Sequence, residues 1–427
     1  MRHLCAIVVA ALVAGSAAAQ DCFDGLAIFP TATSSSTYWG YGGIEQSGQD
    51  LFMAGRQSYN EKISILRPNT TGTMAQVQQV NAPSLSHFSA NADVLAVASA
   101  TITSNGQVLV YTKVAATGQY ALTTTISSTQ SGQDFARSVA VSEDGNTLAV
   151  SAPGLSATDA GKVAIYSRSP SGVWSLAGSL TVTGSKQLGK YLSFWGTRLA
   201  ISEGSSDKIH IFGRQGSVYV LSATVTNLSA GNYARGIALS QDTLVIRSLS
   251  GTSGSTADRY EIFELVDDAW IRQTSLNLSG SINFDFEYGV LAVSYQLGST
   301  IQARCYRKQG VDNEWANFFT GTSTTGDTGY AGGISVESDR IAIAMPDFNA
   351  PSSGDNGAAF LFDAVYVDCN SNGKRDECDI AAGTSVDSNG NLTPDECENS
   401  CAADFNGDGI VDGADLGRLL TDWGTCP

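Results

Sequence analysis

Three stretches near the C-terminus place oxygen-bearing side chains at alternate positions. The first carries Asp368, Asn370, Asn372, Asp376 and Asp379. The second carries Asp387, Asn389, Asn391, Asp395 and Glu398, and the third Asp404, Asn406, Asp408, Asp412 and Asp415. Each set fills places 1, 3, 5, 9 and 12 of a twelve-residue frame. That frame suits Ca²⁺, a hard cation that takes six to eight oxygens, because alternate side chains of a tight loop converge on one point. The backbone carbonyls of Lys374, Thr393 and Ile410 stand at place 7 and would add a ligand each. Gly373 and Gly409 stand at place 6, where the loop turns sharply, whereas the second frame has Leu392 there. Asp379 and Asp415 close their frames with a shorter side chain than the usual Glu, which points to weaker binding. The predicted cofactor is therefore Ca²⁺.

Other chemistry is thin. Only three His occur, and no CxxC pair, GxSxG, HExxH, P-loop or dinucleotide fingerprint is present. Asp134, Asp285 and Asp347 are lone acids that read as turn or strand-edge residues, and His87 and His210 read as strand residues. No catalytic residue is assigned. Cys22, Cys369, Cys378, Cys397, Cys401 and Cys426 are candidates for disulfides. Cys401 and Cys426 bracket the third frame and form the preferred pair. Cys22–Cys369 with Cys378–Cys397 is one arrangement of the rest; Cys369–Cys378 with Cys397 elsewhere is the alternative. Cys305 lies in an alternating strand and reads as a buried free thiol.

These groups need a scaffold, and composition limits what it can be. The chain has 427 residues, with 24 Lys plus Arg against 41 Asp plus Glu, a net charge of −17. That argues against a nucleic-acid partner. Apolar residues make up 42% of the chain, enough for a sizeable core. Residues 1–19 have the pattern of a secretory signal: a basic start, an apolar run from Leu4 to Val13, and Ala17-Ala18-Ala19 before Gln20. No later stretch is long and apolar enough for a transmembrane helix.

The middle of the chain repeats. A Leu/Ile-Ala-Val type strand recurs at Leu51, Leu95, Leu148, Leu199, Leu244, Leu291 and Ile341, seven copies at a period of about 48 residues. About a dozen residues after each comes a second alternating run, most of them ending in an aromatic, as in Val108–Tyr111, Val163–Tyr166, Ile209–Phe212 and Tyr260–Phe263. A further strand starts near Trp174, Tyr219, Trp270 and Trp315. Period-two alternation between Gly, Ser, Asn and Asp turns reads as strands. Four strands repeated seven times predict an all-β fold, a seven-bladed β-propeller. The last copy has only three strands of its own. Leu26-Ala27-Ile28-Phe29 is predicted to supply the fourth and close the ring.

The stretch Gln133–Val141, with Glu143–Pro153 and Gly161–Tyr166, resembles an FG-GAP repeat, the integrin-α-type propeller blade. Blades of that family often hold a DxDxDG calcium loop, and this propeller has none. Residues 404–424, a calcium loop followed by apolar Leu416, Leu419, Leu420 and Trp423 at helical spacing, resemble one dockerin type I repeat, half an EF-hand. The two upstream frames resemble thrombospondin type 3 calcium repeats. The dockerin resemblance implies a cohesin-like partner; self-packing of the Leu/Trp face is the plainer reading. The expected organisation is a signal peptide (1–19), a propeller (20–366), paired calcium loops (367–399) and a dockerin-like half repeat (400–427). The expected role is calcium-dependent extracellular binding or surface attachment, to a protein or a glycan, without catalysis. The alternative is a secreted polysaccharide-acting hydrolase tethered by its tail.

Overall fold

The computed structural model describes residues 26–28, 37–57, 60–68, 74–99, 106–128, 133–226, 234–250, 257–297, 300–309, 314–324, 332–337, 340–345, 357–363, 383–386 and 395–398. They fall into two units, one ending at Phe362 and the other beginning at Asp363.

The larger unit is built from seven four-stranded antiparallel sheets. Blade one holds β2 (Thr37–Ser47), β3 (Asp50–Gln57), β4 (Asn60–Pro68) and β5 (Met74–Asn81); blade two β6 (Leu85–Asn91), β7 (Val94–Ser99), β8 (Gln107–Lys113) and β9 (Tyr120–Ser127). Blade three holds β10 (Val139–Val141), β11 (Thr147–Ala152), β12 (Lys162–Arg168) and β13 (Trp174–Leu180); blade four β14 (Leu188–Trp195), β15 (Arg198–Glu203), β16 (Lys208–Gln215) and β17 (Val218–Thr226). Blade five holds β18 (Gly236–Ser240), β19 (Thr243–Ser250), β20 (Ala257–Val266) and β21 (Ala269–Asn277); blade six β22 (Ser281–Glu287), β23 (Val290–Leu297), β24 (Thr300–Gln309) and β25 (Glu314–Thr324). Blade seven joins β26 (Ile334–Glu337), β27 (Arg340–Met345) and β28 (Ala358–Asp363) to β1 (Leu26–Ile28). The predicted latch is present: Leu26, Ala27 and Ile28 pair with Leu361, Phe360 and Ala359. Phe29 lies outside the described residues.

The second strand of a blade is sandwiched between the neighbouring blades, so it is apolar on both faces. Every residue of β7 and β11 is buried, which is why each repeat contains an unbroken Leu-Ala-Val run rather than an alternation. The core is thus distributed over the seams. One cluster joins blades one and two through Phe52, Ile63, Phe88 and Leu95. Another joins blades three and four through Val163, Leu180, Leu199 and Phe212. The closing seam has its own, with Ile44, Met53, Ala342 and Ala359.

The aromatic of the third strand, replaced by Leu66 in blade one, marks a β-bulge. In blades one to six the third and fourth strands slip register at one place, Ile65/Leu66, Val110/Tyr111, Ile165/Tyr166, Ile211/Phe212, Ile262/Phe263 and Cys305/Tyr306. The extra residue lies on the outer strand, where it adds twist. In two blades its hydroxyl satisfies the carbonyl opposite: Thr123 Oγ1 donates to Val110 O at 3.1 Å and Ser222 Oγ to Ile211 O at 2.8 Å. Cys305 is buried and free, as its place in β24 predicts, and burial pushes its thiol pKa well up.

Ion pairs tie blades together. Asp50, 1% exposed, accepts from Arg67 Nε of its own blade at 2.5 Å. It also accepts from Lys113 Nζ at 2.6 Å and Tyr120 OH at 3.0 Å, both in blade two. Burial alone would raise its pKa, but these donors hold it below the usual carboxylate range. Asp93 and Arg168 make a bidentate pair across the next seam, at 2.7 and 3.0 Å. The smaller unit contains one described helical turn, α1 (Asp395–Glu398). Cys397 on α1 is disulfide-bonded, with its partner outside the described residues. Cys22, Cys369, Cys378, Cys401 and Cys426 lie outside them too, as do the predicted domain boundaries. Among the described residues no helix is long and apolar enough to cross a membrane.

Asp50→Ala is expected to leave two cations facing a buried gap. The loss should be about 3 kcal/mol, toward the low end for a buried pair because both cations reach solvent, or a fall of about 6–12 °C in Tm. A thermal melt that moves by less than a degree or two would show that the seam does not depend on this carboxylate.

Candidate functional site

The first strand of each blade lines the central channel. Its inner edge has no strand partner, so alternate backbone N–H groups need other acceptors. Strand register identifies one equivalent position per blade: Glu45, Ser89, Ala140, Ser193, Ala238, Asp285 and Ser335, opposite Phe52, Ala96, Ala149, Ala200, Val245, Ala292 and Ala342. Five of these carry a side-chain oxygen, and each oxygen accepts an N–H from the next blade. Glu45 Oε2 accepts from Ala90 at 2.7 Å and Ser89 Oγ from Val141 at 3.2 Å. Ser193 Oγ accepts from Leu239 at 2.9 Å and Asp285 Oδ2 from Val336 at 2.8 Å. Ser335 Oγ accepts from Gln46 at 3.1 Å, across the closing seam. The two alanine positions are bridged otherwise. Ser240 Oγ accepts from Tyr288 N at 2.9 Å. At the other, Leu188 N reaches Ala160 O at 3.0 Å. That contact needs Gly161, since a Cβ there would meet the Leu188 backbone at 2.4 Å and its φ is +73°.

The channel is electrically lopsided. Two residues beyond the ring position, toward the hairpins, stand Glu287 and Glu337. Burial raises the carboxyl pKa values of Glu45, Asp285 and Glu337. For Glu45 the charges of Asp285, Glu287 and Glu337 add to it, against the Ala90 hydrogen bond. Three residues before the ring position, at the opposite mouth, three adjacent blades carry Arg137, Lys190 and Arg235.

At that basic mouth is an open cleft of about 330 Å³, lined by Leu85, Ser86 and His87 of blade two, Arg137 and Ser138 before β10, and Lys190 and Tyr191 of β14. Local irregularity aims these side chains. Register shifts fall between Leu85 and His87 and between Leu188 and Leu192. Ser84, Asp134, Ala136 and Gln187 hold positive φ values of 52°, 53°, 64° and 56°, a region that non-glycine residues seldom adopt and that clusters at functional sites. Ser86 Oγ donates to Ala98 O at 3.1 Å and Ala136 O at 2.7 Å, which pins blade two to blade three. Burial, with the charge of Arg137, lowers the His87 pKa to about 4, against a hydrogen bond to the Val139 backbone. The ring is therefore neutral at pH 7.

The predicted sites fare differently. Asp134 stands near Lys190 and supports its charge, while Asp285 belongs to the ring. Asp347 lies outside the described residues. His210 is fully engaged, with Nε2 2.7 Å from Glu203 Oε1 and Nδ1 2.9 Å from Thr224 Oγ1. Of the predicted calcium ligands, Asp395 and Glu398 lie in α1, where Asp395 N donates to Val386 O at 2.7 Å. The other ligands of the three frames lie outside the described residues. Among the described residues no group of three or more His, Cys, Asp or Glu is placed to hold a metal. Sequence reading missed the ring and the basic mouth. The signal was a side-chain oxygen at one position in five of the seven first strands, and a cation three places before the equivalent position in blades three, four and five.

No family model matches the chain, and no curated protein matches it. Its similarity is to solved structures. A protein from Lactobacillus plantarum is 17% identical at a TM-score of 0.50, over 65% of this chain and 83% of that one. The periplasmic gluconolactonase of Pseudomonas aeruginosa is 17% identical at a TM-score of 0.50, over 65% of this chain and 84% of that one. The WD40 domain of Toxoplasma gondii coronin is 13% identical at a TM-score of 0.49, over 79% and 84%. The first two show the fold, a β-propeller.

Replacing Glu45 with Gln keeps an acceptor for Ala90 and removes a carboxyl whose folded pKa is raised. Such a group stabilises fully below its unfolded pKa, about 4.3, and loses that contribution as pH rises through the folded value. Glu45→Gln should therefore match the wild type in Tm near pH 4 and exceed it by about 3 °C at pH 8. A Tm difference independent of pH would contradict the assignment.

Proposed function

We propose that the protein is an exported, calcium-binding propeller that works by extracellular binding or attachment rather than by catalysis. Its blades are of the FG-GAP type, and its tail combines thrombospondin type 3-like loops with a dockerin-like half repeat. The observation that carries the reading is the run of three successive oxygen frames, at places 1, 3, 5, 9 and 12, in residues 368–415. A chance acidic tail has no reason to keep that spacing three times. The propeller's own acids and histidines support it: Glu45, Asp285, Glu203 and His210 all hold backbone or neighbouring side chains in place. Without Ca²⁺ the clustered tail carboxylates repel one another, so the tail loosens while the ring persists.

A second reading has one observation in its favour. Glu45 and Asp285 face one channel and feel each other's charge, and a pair of coupled carboxyls is the equipment of a hydrolase. In that reading the tail tethers an enzyme acting on polysaccharide or another sugar derivative. Both carboxyls already accept backbone N–H groups from the neighbouring blade, which favours the structural role.

A calorimetric Ca²⁺ titration of the mature protein, beside a chain ending at Tyr366, tests the proposal. Up to three sites, one per frame, should appear in the first and vanish in the second. Binding retained by the shorter chain, or absent from both, would sink it. The hydrolase reading requires in addition that Asp285→Asn abolish turnover of a screened glycan or lactone.

A further inference from the structure

The basic mouth offers chemistry that neither the ring nor the tail uses. The chain is strongly acidic, and eight of its described cations are neutralised by acids. Arg67, Lys113, Arg168, Arg198, Arg247, Arg259, Arg272 and Lys308 all lie in ion pairs. Arg137 and Lys190 are different. They belong to adjacent blades and line one cleft, and neither makes an ion pair or side-chain hydrogen bond among the described residues. They repel each other: burial and the Arg137 charge lower the Lys190 pKa, against the attraction of Asp134. Two like charges lining one cleft, offset in part by Asp134 at Lys190, repel one another, and a bound anion joins them favourably.

The rest of the lining says what kind of anion. His87 is neutral, so it adds a polar wall without charge. Ser86 spends its hydroxyl proton on the backbone of blades two and three, so its oxygen remains an acceptor. Tyr191 and Leu85 add an aromatic and an aliphatic surface. At about 330 Å³ the cleft is near the lower end of small-molecule sites. Its floor is rigid, since the turn before β10 is locked by left-handed Ala136, whose N–H donates to Ser151 O at 2.8 Å.

We propose that this cleft is a binding site for one small organic anion, whose carboxylate or phosphate group is held by Arg137 and Lys190. The site is independent of the calcium tail and of whether the ring carboxyls do chemistry, so its failure would leave those readings standing.

The test is calorimetric titration of the full mature protein at low ionic strength, in a buffer free of phosphate and calcium, with inorganic phosphate and separately with glucuronate. One site is expected, weakened by added NaCl. A charge-assisted hydrogen bond contributes about 1.5–3 kcal/mol, so Arg137→Gln and Lys190→Gln should each weaken binding about tenfold or more. Arg235→Gln, at the same register one blade on but outside the cleft lining, should change it about twofold at most, through the long-range field alone. Thermal melts establish that each variant is folded. Binding of glucuronate with little of phosphate would mark a carboxylate carried on a sugar. The reverse would mark a phosphate. Either supports the site. No heat with either probe overturns it. So does binding untouched by Arg137→Gln and Lys190→Gln together, or an equal loss in Arg235→Gln, which would mean a diffuse attraction to the whole mouth.

Discussion

Every blade presents a raw edge to the channel, and the ring depends on how those edges are satisfied. A sheet edge is a row of unpaired donors and acceptors, and in most proteins it is shielded from outside. Here the shielding comes from the neighbour. A side-chain oxygen reaches across the seam to the next blade's N–H at six of the seven steps. The apolar clusters hold adjacent blades face to face, but hydrophobic contact is not directional. The hydrogen bonds set how far one blade is rotated about the axis relative to the next. Glu45 and Asp285 use a carboxyl where a serine hydroxyl serves elsewhere, and both tolerate a raised pKa to do so.

The same strand order explains why the two mouths differ. All seven inner strands run in one direction along the channel, so positions a few residues before and after the ring fall at opposite ends. A cation three places before it in blades three to five, and a carboxylate two places after it in blades six and seven, give the channel a sense. Register shifts between first and second strands fall at the basic end, before the first strands enter regular pairing, as at Leu85/His87 and Leu188/Leu192. The left-handed residues of the hairpin end, Ala92, Gln241 and Tyr288, sit instead in tight turns between regularly paired strands.

How much could be read beforehand follows from range. The Leu-Ala-Val strands and the aromatic-ended strands were legible because each is a local pattern, recurring at one period. The latch at Leu26–Ile28 was legible by counting, since blade seven was a strand short. The bulge was not, though its marker was visible: Tyr111, Tyr166 and Phe212 read as strand ends, when they in fact flank an extra outer residue. The ring and the cleft were illegible for a different reason. Arg137 and Lys190 stand 53 residues apart, and only register converts that spacing into adjacency. The ring position takes Glu, Ser, Ala and Asp in turn, so no residue type announces it.

The latch also sets a clock. Ile28 pairs with Ala359, so the first strand of the ring has its partner 331 residues downstream. Contacts this distant in sequence carry a high closure entropy and form late. At ordinary elongation rates the first strand waits roughly 20 to 70 seconds for β28 to be synthesised. During that interval blade one has an uncovered flank where blade seven will sit. Closure is then a single event: the strand pairing, the Ser335–Gln46 bond and the Ile44–Met53–Ala342 cluster arrive together. A chain interrupted anywhere before residue 359 is an open arc, and it keeps the reactive flank that the finished circle no longer has.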